Sequence, residues 1–393
     1  MIEAISKHAN ELLQELDAKW KPSEDMIKTE LSTVTKKENE LETRRNNLNQ
    51  VMQSHQVADI FSTSKNLDKS LPQYEVKTIK PYKAKFIPSN MQLKMGSQML
   101  GNIYTVPEFE LVDTYQSEVK TVPCVLLSGD NTAFIGSLND VKLQKIKFEN
   151  HNIKEEKEVQ IKVSDMTWTK DREILVSSTE SDLVLYTKDG QLKTFKSFSP
   201  LKTLGVHVAK DNKIILGLTE HFALPVPKDC IRRLVVMNQD GDIQHTIEYD
   251  RDNQRLMLFP YRIITFNDKI VVVDIINCAW EGRIVMFDCG GQLHWSYNGC
   301  NSINSDQVKF YPMDLAITST DMLLVSDTLN HAIHVLNHSG ELIVRKDVNS
   351  LGIEFPVGLD VDKNEVLWIG CGQLPKDTGK KAKIHCVKLI FIT

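Results

Sequence analysis

Hydrophobic positions along the chain follow two different periods. In the first 60 residues they fall at Ile2, Ile5, Ala9, Leu12 and Leu16. Steps of three and four place such residues on one stripe of a helix. The pattern resumes at Ile27, Leu31, Val34, Leu41, Leu48 and Met52. Extending the first register by heptads lands on position 30 rather than on Leu31, so the stripe slips by one residue between the halves. Pro22 lies at the slip, followed by Ser23, Glu24 and Asp25. Proline in a first turn with acidic residues after it is a helix-start signal, which predicts two helices or one long helix broken there. Glu38 and Arg45 fill two seam positions, where polar residues weaken a coiled coil but fix its register. A narrow stripe between charged faces favours self-association over packing on the chain's own globular part. Residues 1–60 are therefore expected to form a coiled coil, with Ile5, Leu12, Leu16, Ile27, Leu31, Val34, Leu41 and Leu48 as the dimer contacts.

Beyond residue 60 the period changes. Residues 61–108 are expected to be a connector, opening with the Ser/Lys/Asn/Asp run at 62–70. From Val122 onward, short runs of β-branched and apolar residues alternate with Gly, Asn, Asp and Ser, as in strands joined by tight turns. The clearest stretch is 311–343, with strands predicted at 314–318, 322–326 and 332–336 and a fourth after Gly340. It has relatives along the chain. Turn glycines followed by a polar and an apolar residue stand at Gly190, Gly241, Gly291 and Gly340, at spacings of 51, 50 and 49. Aromatic-Pro pairs open units at Phe259-Pro260, Tyr311-Pro312 and Phe355-Pro356. Apolar second strands are predicted at 133–136, 174–176, 214–217, 269–273, 322–325 and 366–369. A fixed period of four short strands is the signature of a propeller, so 109–393 is expected to be an all-β propeller with six blades. The last unit is short of strands, and 109–119 is the segment expected to complete it and remove the free sheet edge.

Composition narrows the function classes. The chain of 393 residues carries 47 Lys+Arg and 52 Asp+Glu, a formal net charge of −5 with no overall bias toward nucleic acid or membrane. Residues 1–60 hold 8 basic and 11 acidic residues, which leaves the remainder close to neutral. No apolar run approaches the roughly 20 residues of a membrane helix. The first 16 residues are charged throughout and lack the basic-then-apolar pattern of a signal peptide, so a cytoplasmic location is expected. Seven cysteines, none in a C-x-x-C pair, read as reduced thiols, and no zinc site is expected.

The helical front followed by units such as FPYRII…KIVVVD…GRIVMFDCGGQLHWSYNG and YPMDLA…LLVSDTLNHAIHVLNHSGELI resembles tripartite-motif (TRIM) proteins with an NHL-type propeller. The closing LDVDKNEVLWIGCG is similar in the same way. The resemblance spans essentially the whole chain and is most specific from Phe259 to Gly372. It implies an antiparallel coiled coil and a link to the ubiquitin system. The family's RING and B-box zinc modules have no counterpart here, since Met1 already lies in the helical pattern and the Cys/His spacings are absent. Ligase activity would therefore need a RING upstream.

Candidate chemistry is sparse. Asp274, Asp314 and Asp327 sit near strand ends, where a carboxylate usually caps turn N–H groups. His207, His331 and His334 are scattered, and no nucleophile elbow, P-loop or dinucleotide fingerprint occurs. No catalytic residue, metal or cofactor is expected. Loops between second and third strands share one face and offer His221, Phe222, Arg232, Arg233, Trp280, Arg283, Asn330 and His331. Aromatic and basic residues together suit single-stranded RNA, but a near-neutral propeller lacks the basic footprint of RNA-binding domains. The reading is a dimeric, non-catalytic recognition or scaffold protein whose propeller face (Arg232, Arg233, Trp280, Arg283, Asn330, His331) binds a protein partner. The alternatives are the C-terminal part of a RING-type ubiquitin ligase and an RNA-binding NHL propeller.

Overall fold

The computed structural model describes residues 2–53, 83–88, 102–129, 131–222, 227, 229–300, 304, 308–373 and 381–391, with side chains in the helix from Ser6 onward. The chain divides into two compact units, residues 1–107 with 391–393, and residues 108–390.

The first unit contains α1 (Ile2–Gln53), a single helix that runs through Pro22. The expected break is not there. The proline removes one backbone donor, and the flanking turns still carry ion pairs such as Lys19–Glu15 at 2.7 Å. Of the predicted dimer contacts, Leu16, Ile27, Leu31, Val34 and Leu41 are exposed, Leu12 and Leu48 are half-buried, and the side chain of Ile5 lies outside the described residues. A coiled coil needs two helices, and α1 is the single α-helix among the described residues, so they form no coiled coil among themselves. The segment read as a connector also holds structure. Strands β1 (Ala84–Ile87) and β2 (Asn102–Thr105) pair antiparallel, helped by the β-prone Ile103, Tyr104 and Thr105.

The second unit is built almost entirely of four-stranded antiparallel sheets in a β-propeller arrangement. Four separate sheets are formed by the strands within 165–197, 202–247, 260–297 and 312–347. A fifth, eight-stranded sheet consists of two such halves. One half runs Cys124–Gly129, Thr132–Ser137, Lys142–Glu149 and Asn152–Gln160; the other is Pro356–Val361, Val366–Cys371, Lys383–Ile390 and β3 (Glu108–Gln116). In the strand ladder the halves are joined by one parallel bridge, Gln116 to Asn152. β3 pairs with Lys383–Ile390 from Gln116↔Lys383 to Glu108↔Ile390, so the segment expected to close the last sheet does so.

The turn glycines work as the pattern predicts. Gly190, Gly241, Gly291 and Gly340 all have positive φ, between 77° and 86°, and each closes the turn from a third to a fourth strand. Their N–H groups donate to Thr187, Asn238, Asp288 and Asn337. An L-side chain at such a φ is strained, which is why glycine recurs there. Gly370 serves a different need. A Cβ there would sit 2.3 Å from the carbonyl oxygen of Val122, so glycine lets the last unit approach the first.

Each unit begins with a strand that touches the first strand of the next. Cys124–Gly129, Asp165–Trp168, Lys202–Val208, Pro260–Phe266, Pro312–Ile317 and Pro356–Val361 contact one another in that order, and the last returns to the first. The second strands are buried almost completely, as in Leu323–Asp327 and Lys269–Ile275. Core clusters lie between neighbouring sheets. One of them joins Phe259, Val273 and Ile284 to Phe310, Leu323 and Val325. No helix among the described residues is long and apolar enough to cross a membrane.

Candidate functional site at the axis

First strands meet around the axis, so their inward residues form layers. Register assigns those layers. Val125, Met166, Val206, Ile263, Leu315 and Leu359 pair with Ile135, Val176, Leu216, Val272, Val325 and Ile369, equivalent points on the six second strands. The residues one step earlier are Cys124, Asp165, Gly205, Arg262, Asp314 and Gly358; those one step later are Leu126, Thr167, His207, Ile264, Ala316 and Asp360. Period-2 alternation puts both sets on the same side of their strands. Apart from the two glycines, all of them line one cavity of about 280 Å³.

The earlier layer is a charge cluster centred on Arg262, which is 2% exposed. Its Nε lies 3.4 Å from Asp314 and 3.7 Å from Asp165. Its Nη2 donates to the carbonyl of Pro123 at 3.0 Å and to Cys124 Sγ at 3.2 Å, and its guanidinium stacks 4.4 Å from the Tyr261 ring centroid. One side chain thus ties its own strand to the first, second and fifth units.

The three axial carboxylates repeat one bonding scheme. Asp165 accepts the N–H of Met166 at 2.9 Å and, from the next unit, that of Val206 at 2.8 Å. Asp314 accepts Leu315 at 2.9 Å and Leu359 at 2.8 Å. Asp360 accepts Val361 at 2.9 Å and Leu127 at 2.8 Å, across the closure of the ring. Each is a staple between adjacent first strands. They also correct the placement of Asp314, which the sequence reading took for a turn cap and which lies at the axis. Asp274 and Asp327 do act as caps, accepting Phe259 N–H at 2.8 Å and Tyr311 N–H at 3.0 Å.

Burial sets the protonation states. Asp165 is pushed up to about 6 and Asp314 to about 7, because desolvation outweighs the single guanidinium they share. Asp360, with no cation beside it, also rises to about 6. Arg262 is held firmly charged. The Cys124 thiol is driven up to about 12 by burial and donates to the carbonyl of Ser164 at 3.2 Å, so it is not a thiolate nucleophile. His207, pushed down to about 4 by burial, is neutral and bonds Thr265 at 2.9 Å.

These shifts predict a pH dependence. A carboxyl whose folded pKa is raised binds its proton more tightly in the folded state, so its stabilisation is lost as pH rises through the folded value. His207 and His385, both lowered to about 4, act in the opposite sense and lose stabilisation as pH falls from the ordinary histidine value toward 4. The two effects offset each other below about pH 6.5, the ordinary histidine value. Above it the Asp314 contribution stands alone. The urea midpoint is therefore expected to fall between about pH 6.5 and pH 8, and Asp314→Asn should flatten that slope. A midpoint rising over the same interval would contradict the assignment.

The residues expected on the propeller face are mostly engaged within the fold. Arg232 is 4% exposed and its Nη1 reaches the Pro227 carbonyl at 3.4 Å. Arg233 lies 3.6 Å from Glu248, and Arg283 donates to Asp274 at 2.9 Å and to the Leu256 carbonyl at 3.2 Å. Asn330 donates to the Lys309 carbonyl at 2.6 Å and to Asp327 at 2.9 Å. His331 Nδ1 accepts the N–H of Phe355 at 3.0 Å. Trp280 is 37% exposed and stands edge-on to Tyr261 at 5.4 Å. Ile276, Leu329 and Val308 nearby are likewise more than a third exposed. Segment 308–310 lies between the two loops, through Gly282 N–H to Phe310 O at 3.1 Å and the Asn330–Lys309 bond.

Comparisons with known proteins bear on the fold. No family model matches the chain, and no curated protein matches it by sequence. Among solved structures, a luciferin-regenerating enzyme aligns with TM-score 0.53 at 12% identity, over 72% of this chain and 95% of that one. Regucalcin, a calcium-binding protein from Agrobacterium tumefaciens, aligns with TM-score 0.51 at 11% identity, over 71% and 95%. A putative gluconolactonase aligns with TM-score 0.50 at 10% identity, over 72% and 93%. All three are β-propeller proteins, and at these identities the likeness carries the fold alone.

Proposed function

We propose that the chain is a non-catalytic, dimeric recognition protein: a six-bladed propeller that binds a protein partner on the face of its fourth and fifth blades. The observation that carries this reading is the exposure of four apolar side chains on segments linked by hydrogen bonds, Ile276, Trp280, Val308 and Leu329. A half-exposed Trp on a face that also exposes aliphatic residues has the composition of a protein-binding hot spot. Engagement of Arg233 and Arg283 by Glu248 and Asp274 leaves little cationic charge for a phosphate backbone, which favours a protein over RNA.

The axis supports the absence of turnover. Arg262 lies between Asp165 and Asp314, the thiol is protonated, the histidine is neutral, and each carboxyl group accepts two backbone N–H groups. The exposed seam of α1 supports self-association, with a second copy's helix as its partner in an antiparallel coiled coil. Two propellers on one dimer would raise the avidity for a multivalent partner. The proposed role includes a cytoplasmic location, expected from the charged N-terminal residues and the unpaired cysteines, and a link to the ubiquitin system, which the TRIM resemblance implies, with ligase activity only if a RING precedes the chain.

Two measurements test the reading. Sedimentation should give a dimer for the intact chain and a monomer when Leu31 and Leu41 are both changed to Asp. A partner identified by quantitative cross-linking should lose at least about 2 kcal/mol of affinity on Trp280→Ala and keep it when Lys193, on a different sheet, is changed to Ala. A monomeric intact chain sinks the dimer. Partners indifferent to Trp280, or binding that falls steeply with salt, sink the protein-binding face.

A further inference from the structure

The segment between the second and third strands of the third unit brings together a carboxylate, an imidazole and a thiol. Ligand atoms of Glu220, His221 and Cys230 all lie within 4.8 Å of one another. They come from the two ends of the segment that joins Ile214–Thr219 to Arg232–Met237. The stem is held by backbone and side-chain bonds. Glu220 N–H donates to the Ile231 carbonyl at 2.9 Å, and Ile231 N–H donates to Glu220 Oε2 at 3.2 Å. Thr219 Oγ1 donates to the His221 carbonyl at 2.8 Å, which fixes the backbone carrying the imidazole. Cys230 is buried while His221 is exposed, so the group is open to solvent on one side.

We propose that Glu220, His221 and Cys230 bind a Zn²⁺ ion. The donor set decides the metal class. One thiolate, one imidazole and one carboxylate suit a borderline-soft, tetrahedral cation rather than Ca²⁺ or Mg²⁺, which take oxygen ligands. Three protein ligands leave a fourth position for water or a partner's side chain. The charges balance, since a thiolate and a carboxylate together neutralise the dication. Bound there, the ion would join the two ends of the segment on the same face as Phe222 and Trp280. A search of the sequence for C-x-x-C pairs does not find such a site, because its single cysteine stands nine residues beyond His221 and ten beyond Glu220 and meets them only through the strand pair.

Cobalt titration of the full-length, tag-free protein stripped with chelator tests this. One equivalent of Co²⁺ should produce a thiolate-to-cobalt charge-transfer band, and Zn²⁺ should displace it. Cys230→Ser should abolish the band, and His221→Ala and Glu220→Gln should weaken binding at least about tenfold, as loss of a ligand does. Cys278→Ser and Cys300→Ser should leave it unchanged. Absence of the band in the natural protein, or its persistence in Cys230→Ser with native circular dichroism, would overturn the site. If Cys230→Ser fails to fold, His221→Ala decides: an exposed side chain whose loss leaves cobalt affinity intact is no ligand.

Discussion

Arg262→Ala is expected to destabilise the propeller by about 3–5 kcal/mol, the range for breaking a buried ion pair. The loss should be visible as a lower urea midpoint with the slope unchanged. Removal of the guanidinium leaves Asp165 and Asp314 buried without a counter-charge and strips a donor from the Pro123 carbonyl. It also opens space where four of the first strands meet. Arg262→Lys should recover only part of the loss, since an ammonium cannot reach both carboxylates and the carbonyl in the planar geometry that Arg supplies. The informative variant is Arg262→Met combined with Asp165→Asn and Asp314→Asn. Without charges to desolvate, the triple variant should be more stable than Arg262→Ala, because a neutral replacement of a buried ion cluster is often tolerated. If Arg262→Ala unfolds at the same urea concentration as the natural protein, the clamp is not holding the units together.

The second large effect is at the closure. A chain beginning at Glu118 lacks β3 and is expected not to yield soluble folded protein, whereas one beginning at Thr105 should keep the thermal midpoint of residues 108–390. β3 supplies the fourth strand of the last sheet and covers an edge that would otherwise expose the unpaired groups of Lys383–Ile390. It also carries Phe109, which is buried, and Tyr115, whose ring lies 4.7 Å from Phe148 and 6.0 Å from Trp368. Thr114 adds a bond to His385 at 2.9 Å. Tyr115, Phe148 and Trp368 belong to one core cluster that spans the last and first units, so β3 holds the two ends of the ring through both pairing and packing. Equal solubility and equal midpoints for the two truncations would show that the ring closes without it.

Much of this architecture was legible in the chain. Strand alternation, the glycines at 190, 241, 291 and 340, and the isolated strand near 109 are local or periodic features, and local backbone preference acts within a few residues. The predicted third strand at 332–336 coincides with Ala332–Leu336. The first two predicted strands of that stretch differ by one or two residues from Pro312–Ile317 and Leu323–Asp327. The helix was legible too, but not its continuity through Pro22, since nothing in the sequence weighs one lost hydrogen bond against 52 residues of helical propensity.

The site was less legible. Asp165, Arg262 and Asp314 each stand one residue before an apolar residue at a matching point of a first strand, a column visible only once strand register is known. Read singly, Asp314 resembles the capping Asp274 and Asp327, and Arg262 looks like a surface cation. Closure of the ring brings residues about 50 and 100 positions away to within ion-pair distance of Arg262 and removes water from all of them. The same holds for Glu220 and Cys230, which meet through a strand pair. The sequence by itself determined the repeat, the turns and the helical seam, because those depend on side-chain period and local dihedral preference. Only the tertiary structure decided which charges face each other and which are buried, because pairing and desolvation depend on distances that ring closure alone sets.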